Sequence, residues 1–421
     1  MDGQGLTMLI KVSRLSLKEI VSLISLSLLW VANLIDPVGQ GIGVKYPSYF
    51  ILFLSVFCLF FYVFKRLDKD HKAFLLYFSI YLPLYGFVLM VISSGAQLFK
   101  FTDTSYISSS FLFMFTILVV NKKTLFINEF LMKITLYCLV FFIVWVFSLS
   151  YISEGGEGVE YFMKSGMLFF SSRQYGGIKL PYIYFIISPM LILLLARNSW
   201  KIFIKFSVYR LVTVLLVVVA LALSGTRMNI LMSVMTVFVV FLWFQFSRLS
   251  YNRLVSIVSL LLLLLFLFLY VSYSSFQSLF GDAFSSHDIS NLKKIDDLDL
   301  MMTIFNNPVF FIFGQGFNAY DWSPLTQSLI GSGGATKTEL TYFEFIRVFG
   351  VLNFLILLFF FIRYIFFIKV TNVEKKWVQP GLLCYLLAST LNPYLFSLNG
   401  VLVLGTCLSS IFYERGVYVV K

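Results

Sequence analysis

Three arginines, Arg173, Arg227 and Arg347, are placed where a charged side chain could do chemistry. Each stands at the edge of a long apolar run, and an ionisable group at membrane depth costs about 2.5–3.5 kcal/mol, so each is a functional candidate. Arg227 closes the turn Ser224-Gly225-Thr226-Arg227 between the apolar stretches 211–223 and 230–243. The first stretch, if helical, covers only about 20 Å of a hydrocarbon core about 30 Å thick. Either the helix borrows Phe206–Arg210, or the turn lies below the surface and holds a guanidinium in a recess. Arg173 stands in Ser171-Ser172-Arg173-Gln174-Tyr175-Gly176-Gly177, just ahead of Leu180-Pro181. Hydroxyls, a guanidinium and glycines that admit close backbone approach suit a phosphate. Arg347 follows Glu344 by three residues, so the two share a helix face, with Lys337 and Glu339 one to two turns earlier. The plain alternatives are an interfacial turn residue (Arg227), a solvated loop arginine (Arg173) and a self-neutralising pair (Glu344–Arg347).

Arginine binds phosphate oxygens through a planar fork and keeps its charge. Three of them in aromatic-rich apolar surroundings suit an amphiphile with a phosphate head. Proton transfer also needs carboxylates, and Glu339 and Glu344 lie closest in sequence to Arg347. The group Asp296-Asp297-x-Asp299 has the form of the DxD metal site of nucleotide-sugar transferases. It falls on the side away from the cytoplasm, where nucleotide sugars are made, and Lys293-Lys294 supply charge partners. No metal site is expected, because His71 and His287 are the only histidines and both read as polar-loop residues. The four cysteines lie in apolar runs, where they act as small hydrophobes.

The elements that must position these residues follow from composition. Of 421 residues, 59% are hydrophobic and 12% charged, with mean hydropathy +0.90. A soluble domain carries about 25% charge, so this chain has too little polar surface to coat itself. Continuous apolar runs such as Leu260–Tyr270 exclude an alternating outer-membrane barrel. The chain reads as all-α, one integral membrane domain over 1–421 with about twelve spans. These run roughly 19–37, 46–64, 73–93, 105–120, 134–151, 180–196, 206–223, 229–246, 254–272, 341–362, 378–393 and 396–413. The first run follows Lys11, Arg14 and Lys18, lacks a small-x-small cleavage site, and reads as a membrane helix rather than a signal peptide.

Charge sets the orientation. With both termini cytoplasmic, 22 of the 32 Lys+Arg residues fall in cytoplasmic connections and 10 outside, the positive-inside bias expected of a multi-pass membrane protein. The formal +12 is therefore topological signal rather than a nucleic-acid footprint. Two external connections are long, 152–179 and 273–340. Structureless loops of that size are uncommon, and the apolar–polar alternation over Ile289–Phe305 predicts helix at the interface within the second.

Taken in order, these features resemble the O-antigen polymerases, relatives of the O-antigen ligases. The matching pieces are Arg173-x-x-Gly176 ahead of a Pro-containing helix, and Ser224-Gly225-Thr226-Arg227 at the next outer turn. Pro308…Gly314-x-Gly316 falls late in the large loop, and Glu339…Glu344 leads into Gly350. Where ligases carry a histidine eleven residues before that glycine, this chain has Glu339. The resemblance implies a membrane-embedded, metal-independent glycosyltransferase without cofactor, multi-pass in the bacterial inner membrane. It would join undecaprenyl-pyrophosphate-linked oligosaccharide repeat units into O-antigen for lipopolysaccharide, with a chain-length regulator and a flippase as further partners. It implies Arg173 and Arg227 on the pyrophosphates, with Glu339 and Arg347 catalytic. Lys337, Glu344, Gly314 and Gly316 would support them. A lipid-linked oligosaccharide flippase is the alternative of another class. It predicts two similar halves, and 1–210 and 211–421 show no repeat.

Overall fold

The computed structural model is predominantly helical and describes residues 16–35, 45–64, 67–94, 109–119, 121–152, 168–175, 178–224, 226–247, 289–317, 340–391 and 395–414. Helices α1 (Leu17–Ile35) and α2 (Lys45–Phe64) come first, then α3 (Lys69–Leu76), which passes through a π-helical turn at Tyr77–Tyr81 into α4 (Leu82–Ser94). Helices α5 (Ser110–Leu118) and α6 (Lys122–Ile152) lead to an antiparallel hairpin, β1 (Leu168–Tyr175) and β2 (Ile178–Phe185). There follow α7 (Leu191–Ile204), α8 (Val208–Leu223), α9 (Arg227–Phe246), α10 (Ile289–Phe305) and α11 (Pro308–Phe313). Helices α12 (Thr341–Ile362), α13 (Val378–Ala388) and α14 (Leu398–Glu414) complete the order.

Five helical stretches among the described residues are long and apolar enough to cross a membrane: Leu17–Ile35, Lys69–Ile92, Lys122–Leu149, Met228–Phe246 and Thr341–Phe367. Burial shows which solvent they suit. Phe57, Ile92 and Phe141 are each more than 70% exposed, while Asn33, Asn128, Asn229, Asn353 and Asn399 are buried. A soluble protein arranges these the other way round. Inside, amides join helices that share no hydrophobic contrast with lipid. Trp30 Nε1 donates to Asn128 Oδ1 (2.9 Å), and Asn128 Nδ2 donates to Thr406 Oγ1 (3.0 Å), tying α1, α6 and α14. Helix α14 is buried round its circumference from Leu398 to Phe412, as a central helix must be.

Several expectations need correction. The span expected at 180–196 begins as strand β2, turns through a 3-10 segment at Ser188–Met190, and is helical only from Leu191. The chain is therefore not purely α. Helix α6 starts twelve residues before the expected 134, because Asn128 and Glu129 find polar partners inside the bundle. His71 is not a loop residue; it is buried in the first turn of α3, stacked on Phe412 at 4.1 Å. Helix α10 forms over Ile289–Phe305 as expected and packs on α11 and α12. The span at 254–272 and His287 lie outside the described residues.

Contacts gather the Lys/Arg-rich connections at one end of the bundle. Ser16 and Glu19 form a reciprocal capping box at the start of α1. Glu19 also accepts from Asn121 Nδ2 (2.8 Å) and faces Lys123 (3.5 Å), so α1 and α6 start together. Arg363, beyond α12, donates to Asp70 at the start of α3 (2.7 Å). Lys375 pairs with Glu129 (2.9 Å), and Trp200 Nε1 donates to the Val373 carbonyl (2.7 Å).

Candidate functional site

The other end of the bundle carries the arginine-bearing segments. Helix α12 is broken at Gly350 (φ 81°, ψ 161°), which splits it into 341–349 and 351–362. A break at membrane depth strands carbonyls that only protein can satisfy. The Arg347 carbonyl accepts from Gln315 N (2.7 Å) and the Val348 carbonyl from Gly316 N (3.0 Å). The donor segment is built locally. Asn307 caps α11 by accepting from Val309 N (3.0 Å), Pro308 opens it, and Gly314 ends it at φ 87°. Gly316 also has positive φ, 76°. A Cβ at Gly314 would strike the Val348 carbonyl, and one at Gly350 the Ile312 carbonyl. The expected support glycines thus form an interlock between backbone segments. Tyr85 Oη donates to the Phe313 carbonyl (2.8 Å) and Phe317 N to the Gly86 carbonyl (3.2 Å), fixing α4 to the same wedge.

Above the break, Arg347 Nε donates to Glu344 Oε2 (2.8 Å) and an η-nitrogen to Oε1 (2.6 Å). Both side chains are within 2% of full burial. A buried pair holds only when its geometry is good enough to offset desolvation, and this one is bidentate. In this arrangement Arg347 holds the head of α12 and does not line an open surface.

Arg227 occupies the first turn of α9, where Thr226 Oγ1 caps the helix by accepting from Asn229 N (3.1 Å). Asn229 Nδ2 donates to Ser188 Oγ (2.9 Å) and Ser224 Oγ (2.8 Å), joining the start of α9 to the segment leaving the hairpin. Arg173 stands in β1 opposite Leu180 of β2. Two further contacts close the set. Asn399 Nδ2 donates to the Ile186 carbonyl (3.0 Å), and Asn33 Nδ2 donates to Asn399 Oδ1 (3.0 Å). Phe396 stacks on Phe345 (5.5 Å) near the start of α12. Residues 395–399, at the head of α14, therefore bridge the hairpin exit and the start of α9 to the Arg347 turn.

Glu339 and Lys337 lie outside the described residues. Asp297 is buried on α10, away from any cluster that could ligate: no group of three His, Cys, Asp or Glu fit for a metal occurs among the described residues. A cleft of about 550 Å³ lined by Phe359, Ile362, Arg363 and Lys369 opens at the far end of α12, remote from the Gly350 break. Sequence reasoning missed the buried amides Asn33, Asn229 and Asn399. Lone asparagines inside apolar runs were the available signal. No protein-family model, curated protein or solved structure matches the chain.

Proposed function

We propose that the protein polymerises undecaprenyl-pyrophosphate-linked oligosaccharide repeat units into O-antigen at the periplasmic face of the inner membrane. The observation that carries this reading is the gathering of the hairpin with Arg173, the first turn of α9 with Arg227, and the broken head of α12 round residues 395–399. That end lies opposite the Lys/Arg-rich connections, which the charge bias assigns to the cytoplasm. In this reading the twelve-span topology places 152–179 and 273–340 outside.

The reaction asks little of the protein beyond charge and a base. The acceptor sugar hydroxyl attacks the anomeric carbon of the growing glycan, its proton passes to a carboxylate, and the bond to the lipid pyrophosphate breaks. Arg173 and Arg227 stabilise the charge on the departing diphosphate without metal. Glu339, two residues ahead of α12, takes the proton. Arg347 acts as a positioning residue, because its fork is closed on Glu344 and holds the helix head that carries Glu339.

The test is the surface glycan of a deletion strain complemented with variants. Arg227→Ala should leave lipopolysaccharide capped with a single repeat while protein level is unchanged. A normal ladder in that strain would overturn the assignment, and complete loss of surface repeats would point to transport instead.

A further inference from the structure

A second charged region, at the basic end, is not used by the reading above. Glu129, Lys133 and Tyr137 recur at i, i+4 and i+8 along α6, and Arg197 and Lys201 at i, i+4 in the last turns of α7. Helices α6 and α7 pack on each other, so the two faces meet. Arg210 completes the wall and caps α7, donating to the carbonyls of Lys201 and Lys205 at 3.0 Å each. The carboxylates facing this group are Glu129 and Glu374. Glu129 is held by Lys375 (2.9 Å) and Ser410 (3.2 Å), and Glu374 is exposed. Lys133, Arg197 and Lys201 are left half-buried, and none makes an ion pair with a described residue. Burial first, and then the charge of Arg197, lowers the pKa of Lys201. Cations gathered this way between helices repel one another, and of the two carboxylates that face them Glu129 is already engaged by Lys375 and Glu374 stands in solvent.

We infer that Lys133, Arg197 and Lys201 form a site for the phosphate of an anionic phospholipid, seated between α6 and α7 at the basic end of the bundle. The chemistry is that of phosphate: a guanidinium fork with two ammonium groups supplies more donors than one phosphodiester needs. The lipid is favoured over free phosphate because the surroundings are oily on the outer side. Phe130 and Ile134 on α6, and Phe206 and Tyr209 before and within α8, are exposed beside the cations and provide a wall for acyl chains. Basic pockets between membrane helices on the cytoplasmic side bind anionic headgroups in this manner.

Thermal unfolding of the full chain in uncharged detergent, titrated with phosphatidylglycerol, phosphatidylcholine or inorganic phosphate, tests the site. Phosphatidylglycerol should raise the melting temperature saturably, and the other two should leave it unchanged. The double variant Arg197→Gln/Lys201→Gln should raise the half-saturating phosphatidylglycerol concentration by about tenfold, and Lys69→Gln should not. Should the double variant fail to fold, Lys133→Gln should weaken binding, while Arg197→Lys retains most of it. Equal stabilisation by phosphatidylcholine, or an unshifted titration in the variants, overturns the proposal. Stabilisation by inorganic phosphate alone assigns the cluster to a free anion and overturns the lipid site.

Discussion

Arg347 shows how a residue chosen for its charge is read differently once its partner is seen. The i, i+3 spacing from Glu344 already allowed a self-neutralising pair, and the bidentate contact at 2.6 and 2.8 Å realises it in a buried setting. Removing one member breaks this bidentate contact in a buried setting. Arg347→Met or Glu344→Gln alone should therefore lower stability by about 3–5 kcal/mol, while the double change recovers much of that loss. Thermal unfolding in detergent reads the difference. The same series tests the positioning role. A double variant that folds but makes less polymer is what that role predicts, and one that folds and makes a full ladder removes the pair from the reaction altogether. Arg347→Lys should keep the charge but lose the fork, giving intermediate polymer.

At the scale of elements, the Gly314-Gln315-Gly316 wedge and the Gly350 break form one device, each supplying the backbone groups that the other lacks. Alanine at Gly314, Gly316 or Gly350 must adopt positive φ and meets a neighbouring main chain, so each should cost about 1–3 kcal/mol in strain alone. Gly381→Ala is the milder comparison: its φ is ordinary, and its added Cβ asks only that the Ala196 methyl, at 3.2 Å, give by a few tenths of an ångström. Melting temperatures should fall further for the three positive-φ variants than for Gly381→Ala. The device was partly legible in the sequence: Pro308, Gly314, Gly316 and Gly350 stood out by type and spacing. Their contact did not, because a break inside the apolar run 341–362 leaves no trace in hydropathy. The hairpin escaped for a related reason. Residues 180–196 are apolar throughout, and a long window cannot distinguish a strand followed by a helix from one span. Pro181 in β2 and Pro189 in the 3-10 segment were the local signs of interruption. The start of α6 is hidden in the sequence because Asn128, Glu129 and Lys133 look like loop residues until Trp30, Thr406 and Lys375 are seen beside them.

For the whole molecule, two independent lines meet on the same division. Counting charge divides the connections into a basic set and an acidic set, with 22 and 10 Lys+Arg. The side-chain contacts independently join members of the basic set to one another: 16–19 with 121–123, 70 with 363, and 129 with 375. If the positive-inside bias governs insertion, that whole end faces the cytosol. Single cysteines in a background lacking the native four make this measurable with an impermeant thiol reagent on right-side-out and inverted vesicles. Ser207→Cys and Asn372→Cys should react only in inverted vesicles, and Ser172→Cys and Asn318→Cys only in right-side-out ones. The two failures mean different things. Ser207→Cys and Asn372→Cys labelled from opposite sides would break the bundle end described here. A clean exchange of both pairs would leave the fold standing but put Arg173 and Arg227 on the cytosolic side, where a periplasmic polymerase has no use for them.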